Sequence, residues 1–250
     1  MILQKEKDVM EHLDSNIIAK IKSSIFGGEK WSGLGVRVIS GAVLAALVLF
    51  MLWVGSFVFA LIILLAALQM LREWDGLTEK ETSIWVAAGM FYVAIPCAAI
   101  LWLRNVQIED STNAGFTLVL YVLFAIWATD IGAYFTGRIV GGAKLAPTIS
   151  PGKTWAGLGG GMAAAGVVGG ISFIFTPYPT KLWAAILLAV LLAVVAQAGD
   201  LFESWVKRRA GVKDSSTLIP GHGGLLDRVD GLMFTLPLFA FFVYLSGIIK

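Results

Sequence analysis

Charge is what this chain has least of. Only 14% of its 250 residues are Asp, Glu, Lys or Arg, while 58% are hydrophobic and the mean hydropathy is +0.81. A soluble domain carries about a quarter of its residues charged, so the shortage excludes an ordinary soluble fold and implies a membrane protein. Cysteine is nearly missing too. The single one, Cys97, lies inside an apolar run, can form no internal disulfide and reads as a small packing residue. The net charge of +2 gives no argument for nucleic acid, and no such partner is expected. A phosphate-binding loop of the G-x-x-x-x-G-K-[ST] type is also excluded. Gly152, Lys153 and Thr154 supply its end, but its first glycine falls on Pro147, which has a fixed φ and no N–H to offer.

What the chain does have is apolar runs near the ~20 residues a bilayer requires. They cover about 38–54, 56–71, 84–103, 115–137, 155–176, 182–199 and 231–249. The first two are short and separated only by Gly55-Ser56, so they form a tight hairpin or one broken unit. The expected fold is therefore an all-α, polytopic membrane helix bundle of about seven spans, with six or eight as the bounds. No signal-peptide cleavage pattern follows the first run. With the N-terminus inside, all but three of the 19 basic residues (Arg104, Lys181 and Lys250) fall on the cytoplasmic side. The positive-inside rule expects that bias.

Ahead of the first span, Val9, Leu13, Ile17, Ile21 and Ile25 recur every four residues among Lys and Glu. That period predicts an amphipathic helix on the cytoplasmic membrane face, within a segment 1–36. Residues 37–110 then form the N-terminal spans and 111–250 a C-terminal membrane region that holds most of the polar groups.

If the sixth helix continues past Gly199, then Asp200, Glu203, Ser204 and Lys207 share one face at i, i+3, i+4 and i+7. A turn-rich passage follows, in which Pro220-Gly221 and Gly223-Gly224 flank His222. Asp227 and Asp230 come next, three apart in the first turn of the last span, where the helix dipole favours carboxylates. Carboxylates converging at a wet membrane edge suit a hard ion such as Mg²⁺. The plainer alternative is that they cap the helix and pair with Arg208 or Arg228. Asp130, about two turns inside Arg138, is a costly group within a span and should face a polar cavity, with Tyr134 and Gly137 on its side. Ser150-Pro151 is expected to start a helix, with Lys153 and Thr154 in its first turn as a phosphate site. Gly157, Gly161, Ala165 and Gly169 recur every four residues as a ridge for close helix packing.

The run from Ser204 through Lys207-Arg208, Lys213-Asp214, Ser216, Ile219-Pro220, His222-Gly223-Gly224 and Asp227-Arg228-Val229-Asp230 resembles the signature of the phosphatidate cytidylyltransferases. Asp130-x-x-Ala133-Tyr134-x-x-Gly137 and Ser150-Pro151-x-Lys153-Thr154-x-x-Gly157 are also similar to motifs of that family. Gly152 and Ala156 depart from it, since the family commonly has a lysine and a glutamate there. The first ~110 residues match in hydrophobic character only.

The resemblance implies transfer of CMP from CTP to phosphatidate, giving CDP-diacylglycerol and diphosphate, at the cytoplasmic face of the inner (plasma) membrane. It implies Mg²⁺ held by Asp200, Asp227 and Asp230, with room for a second cation. Lys153, Lys207, Arg208 and Lys213 would neutralise phosphate charge. Asp130, Tyr134, Ser150, Thr154, Ser204, Asp214 and Arg228 would contact substrate, and the turn at His222, Gly223 and Gly224 would let backbone approach the nucleotide. CTP, phosphatidate and the bilayer are the expected partners, with a homodimer left open. The alternatives are a CTP-dependent enzyme acting on an isoprenoid lipid, or an ion or phosphate transporter. A transporter would be expected to place polar groups near mid-membrane on several helices. The D-G-x₂-A-R box of the alcohol phosphotransferases does not occur.

Overall fold

The computed structural model describes residues 28–79, 81–108, 111, 113–175, 181–219 and 223–247. The proposed amphipathic helix, His222 and Lys250 lie outside them. Among the described residues the chain forms seven helices and one hairpin. They are α1 (Gly28–Val54), α2 (Ser56–Thr78), α3 (Ser83–Arg104), α4 (Ala114–Ile139), β1 (Lys144–Ala146), β2 (Ser150–Thr154), α5 (Trp155–Phe175), α6 (Leu182–Arg209) and α7 (Leu226–Leu245). Six of them, α2 to α7, are long and apolar enough to cross a membrane. In α1 the apolar stretch is the shorter Gly41–Val54. The chain divides into two compact units, Met1–Val48 and Leu49–Lys250, and every functional residue discussed below belongs to the second.

A break separates the first two runs. Gly55 has φ +64°, a left-handed conformation that a side chain disfavours, and it separates the end of α1 from α2. Large apolar residues such as Phe57, Phe91, Ile131, Trp183 and Tyr244 face outward, as lipid contact requires. The inside is built in two parts. Met70, Trp74 and Leu77 of α2 meet Val93 of α3, Val206 of α6, and Leu226 and Met233 of α7 in one core. On the other side, α5 lies between α4 and α6, and the small-residue ridge explains why it fits. A side chain at Gly161 would strike the Thr129 carbonyl of α4, and one at Gly169 the Ala185 carbonyl of α6. Backbone therefore packs on backbone.

One helix start differs from the expectation. Ser150 to Thr154 are strand, not the first turn of a helix. They pair antiparallel with β1, Lys144 opposite Thr154 and Ala146 opposite Ser150. Pro151 holds the residue before it extended, which suits a strand better than a helix. The helix opens one residue after Thr154, whose Oγ1 accepts the Gly157 N–H at 3.0 Å as an N-cap. The last helix starts at Leu226, five residues before its apolar run, so Asp227 does lie in its first turn. The sixth helix continues ten residues past Gly199, to Arg209.

Candidate active site

Where α4 ends, β2 turns into α5 and α6 passes alongside, the helices leave a cavity of about 620 Å³. That is within the range of roughly 300–1,000 Å³ typical of small-molecule sites. Asp130 and Tyr134 of α4, Lys153 and Thr154 of β2, and Gln197 and Asp200 of α6 line it. Five of these six were picked out by sequence; Gln197 was not. Lys153 Nζ stands 2.5 Å from Asp200 Oδ2, and Ser204 Oγ donates to Asp200 Oδ1 at 3.2 Å. Asp130 opens into the cavity within electrostatic range of Asp200, Lys153 and Arg228. Arg138 donates to the Tyr134 hydroxyl at 2.8 Å at the rim.

Beside the cavity, α6 and α7 share a buried ion chain. Lys207 Nζ donates to Glu203 Oε1 at 3.1 Å and to Asp227 Oδ1 at 2.5 Å. Asp227 Oδ2 gathers the passage before α7. It accepts the Ser215 N–H at 2.8 Å, the Ser215 hydroxyl at 2.9 Å and the Gly224 N–H at 2.8 Å. Gly224 has to be glycine, since a side chain there would collide with Ser215 Oγ and the Glu73 carboxylate. Asp230 Oδ1 accepts the Gly231 N–H at 2.7 Å. Its charge acts on Asp200, Glu203 and Asp130, which joins the ion chain to the cavity.

Residues 78–246 match the family model described as "Cytidylyltransferase family". The chain belongs to that family. It is 36% identical over 265 residues to a phosphatidate cytidylyltransferase of Brucella suis biovar 1 (strain 1330), covering 87% of this chain and 94% of that one. With a protein of the same name from Rickettsia bellii (strain RML369-C) it shares 36% over 232 residues, covering 90% and 97%. With one from Haemophilus influenzae it shares 43% over 162 residues, covering 62% and 55%. The protein is thus a nucleotidyl-transferring enzyme with several membrane spans.

Not every signature residue of this cytidylyltransferase faces the cavity. Arg208 is exposed and holds backbone instead, donating to the Ile149 carbonyl at 3.3 Å and to Val212 at 2.9 Å. Ser150 is tied into the hairpin, and Lys213, Asp214 and Arg228 are exposed, outside the cavity lining. Gly223 is pressed against Asp214 and Asp227. Glu73 was missed altogether. It sits at the end of α2, is 4% exposed, and accepts hydrogen bonds from the signature passage. The available signal was Gln69 and Glu73 at i,i+4 at the polar end of an apolar helix; Gln69 Nε2 donates to Glu73 Oε1 at 3.1 Å. Arg209 was also missed. It makes a two-point bond to Glu81, at 2.6 and 3.0 Å, and lies over the rings of Trp85 and Trp205.

The donor chemistry fits a hard divalent cation. The carboxylates of Asp130, Asp200, Glu203, Asp227 and Asp230 outnumber the basic groups of Lys153, Lys207 and Arg228 that act on them. Among the described residues Glu203 Oε2 is buried with no hydrogen-bond partner, and Asp227 Oδ1 has one only. Among the described residues no three Asp, Glu, His or Cys groups stand as a ready-made metal cluster. Mg²⁺ does not need one, since it usually takes one or two carboxylates together with substrate phosphate oxygens.

Proposed function

We propose that this enzyme transfers CMP from CTP to phosphatidate, forming CDP-diacylglycerol and diphosphate at the cytoplasmic face of a bacterial inner membrane. The supporting observation is the cavity itself. It sets the Lys153 ammonium and the Asp130 and Asp200 carboxylates around one space, in a chain related over most of its length to proteins named for that reaction. The clustering of basic residues supports the cytoplasmic side.

The reaction asks for alignment and charge neutralisation rather than a protein nucleophile. A phosphate oxygen of the lipid attacks the α-phosphorus of CTP, and the bond to the β-phosphate oxygen breaks as diphosphate leaves in line. Lys153 would neutralise negative charge on phosphates bound in the cavity. Lys207, fixed between Glu203 and Asp227, instead holds the Asp227 end of α7 against α6. One or two carboxylates of the set Asp200, Asp227 and Asp230, with phosphate oxygens of the substrates, would hold Mg²⁺, which would neutralise charge on the leaving group. The decisive assay incubates labelled CTP with phosphatidate and the detergent-purified protein. Label should move into the lipid phase with diphosphate released. Label that enters lipid only when a polyprenol or other isoprenoid lipid is supplied would overturn the choice of phosphatidate.

A further inference from the structure

We infer that Glu73, a carboxylate from outside the matched segment, is a positioning residue for the catalytic end of α7; this rests on the reaction proposed above. The helix that carries Asp227 and Asp230 has no side-chain cap of its own, and its first residues are buried. Free N–H groups at a buried helix start need an acceptor. Glu73 supplies it from α2. Its Oε1 accepts the Leu225 N–H at 2.9 Å and its Oε2 the Leu226 N–H at 2.8 Å. The same two oxygens accept the Ser216 and Ser215 hydroxyls, each at 2.9 Å. A negative charge at this end also matches the helix dipole.

The clasp is one hydroxyl away from the chemistry, because Ser215 Oγ lies between Glu73 Oε2 and Asp227 Oδ2. Glu73 is itself held firmly. Met70, Trp74 and Leu77, on the same helix, are part of the core that includes Leu226 and Met233. The Trp74 indole donates to the Trp85 carbonyl at 2.8 Å. Through this chain of contacts α2 sets where α7 begins and where Asp227 and Asp230 stand. It makes no bond to Lys153, Asp130 or Asp200. Loss of the clasp should therefore harm turnover and cation use while sparing nucleotide binding.

Glu73→Gln tests this. The amide keeps the volume but turns an NH₂ donor toward donors. Per folded molecule, kcat should fall about 100-fold, as a misplacement on the order of an ångström implies. The KM for CTP should stay within about threefold, and half-saturating Mg²⁺ should rise about tenfold or more, as for other groups that orient metal ligands. A merely structural role would lower folded yield and leave kcat per folded molecule and the Mg²⁺ requirement unchanged; that result overturns the inference. Should Glu73→Gln fail to fold, the Ser215→Ala/Ser216→Ala double variant leaves both backbone N–H groups capped. It should shift kcat and Mg²⁺ in the same directions, and wild-type values there also overturn it. Mg²⁺ titration followed by tryptophan fluorescence, without substrates, judges Glu73 separately. An unaltered protein that moves no label refutes the reaction, while an unshifted titration in Glu73→Gln refutes the clasp.

Discussion

Asp227 and Asp230 are three residues apart on one helix, yet their Asn variants should fail in different ways. Asp227 accepts four hydrogen bonds, one from the buried Lys207 ammonium. An Asn there keeps one oxygen for Ser215 and Gly224 and turns its NH₂ toward Lys207. A charge-assisted hydrogen bond is worth about 1.5–3 kcal/mol. Breaking a buried ion pair costs about 3–5 kcal/mol when the partner is left alone. Lys207 keeps Glu203, so the expected loss of stability is near the overlap, about 3 kcal/mol. Asp230 accepts only the Gly231 N–H, which an Asn oxygen can also take. Removing its charge from beside Asp200 and Glu203 relieves like-charge repulsion, so stability should hold or rise. Turnover should nevertheless drop about 100-fold or more in both, with partial recovery at raised Mg²⁺ or Mn²⁺. The measurements are monodisperse protein surviving a heating series in detergent, and CTP label recovered in lipid per folded molecule. Wild-type melting of Asp227→Asn would refute the anchoring role, and wild-type turnover of Asp230→Asn would refute the cation role.

Lys153→Ala should cut transfer from CTP about 100-fold or more while leaving a stable protein, because the Lys153–Asp200 pair is partly open to the cavity. ATP hydrolysis that vanished with this substitution would instead restore the nucleotide-loop reading. Thr154→Val should cost about 1 kcal/mol through loss of the α5 cap, and Thr154→Ser almost nothing, by melting in detergent. Gly169→Ala pushes a methyl group against the Ala185 carbonyl and should destabilise by about 1–3 kcal/mol. Gly159→Ala meets open space on the same helix and should be neutral or stabilising. In a Cys97→Ala background, a cysteine at 181 should react with an impermeant thiol reagent outside intact cells and one at 213 should not; the reverse pattern would invert the topology.

Features that repeat along the chain were legible in it. Ser83–Arg104 and Leu182–Arg209 begin within a residue of where hydropathy put them, and the Gly157–Gly169 ridge packs as its four-residue spacing implied. Asp130 could be placed because an ionisable group in a span has few tolerable surroundings. What escaped was local detail outweighed by distant contacts. Asp227 lies where its spacing puts it, in the first turn of α7, but nothing near it in sequence shows what satisfies that turn; Glu73, more than 150 residues earlier, does. The hairpin at Lys144–Thr154 is too short for periodicity to register. Proline at 151 looked like the opening of a helix, whereas a threonine three positions on does the capping.

The glycine ridge bears on how substrate gets in. Helices that touch backbone to backbone have no side chains to yield, so drawing α5 away from α4 or α6 means giving up a whole row of contacts at once. Two walls of the cavity, Asp130 to Gly137 on α4 and Gly152 to Leu158 beside them, therefore behave as a single slab. The passage between Arg209 and Leu226 is different in kind. Its described residues are held by single hydrogen bonds, such as the Ser215 N–H to Asp227 and the Ser216 hydroxyl to Glu73, that can be exchanged one at a time. On the reaction proposed above, a nucleotide reaching the cavity would meet a frame that cannot yield one helix at a time.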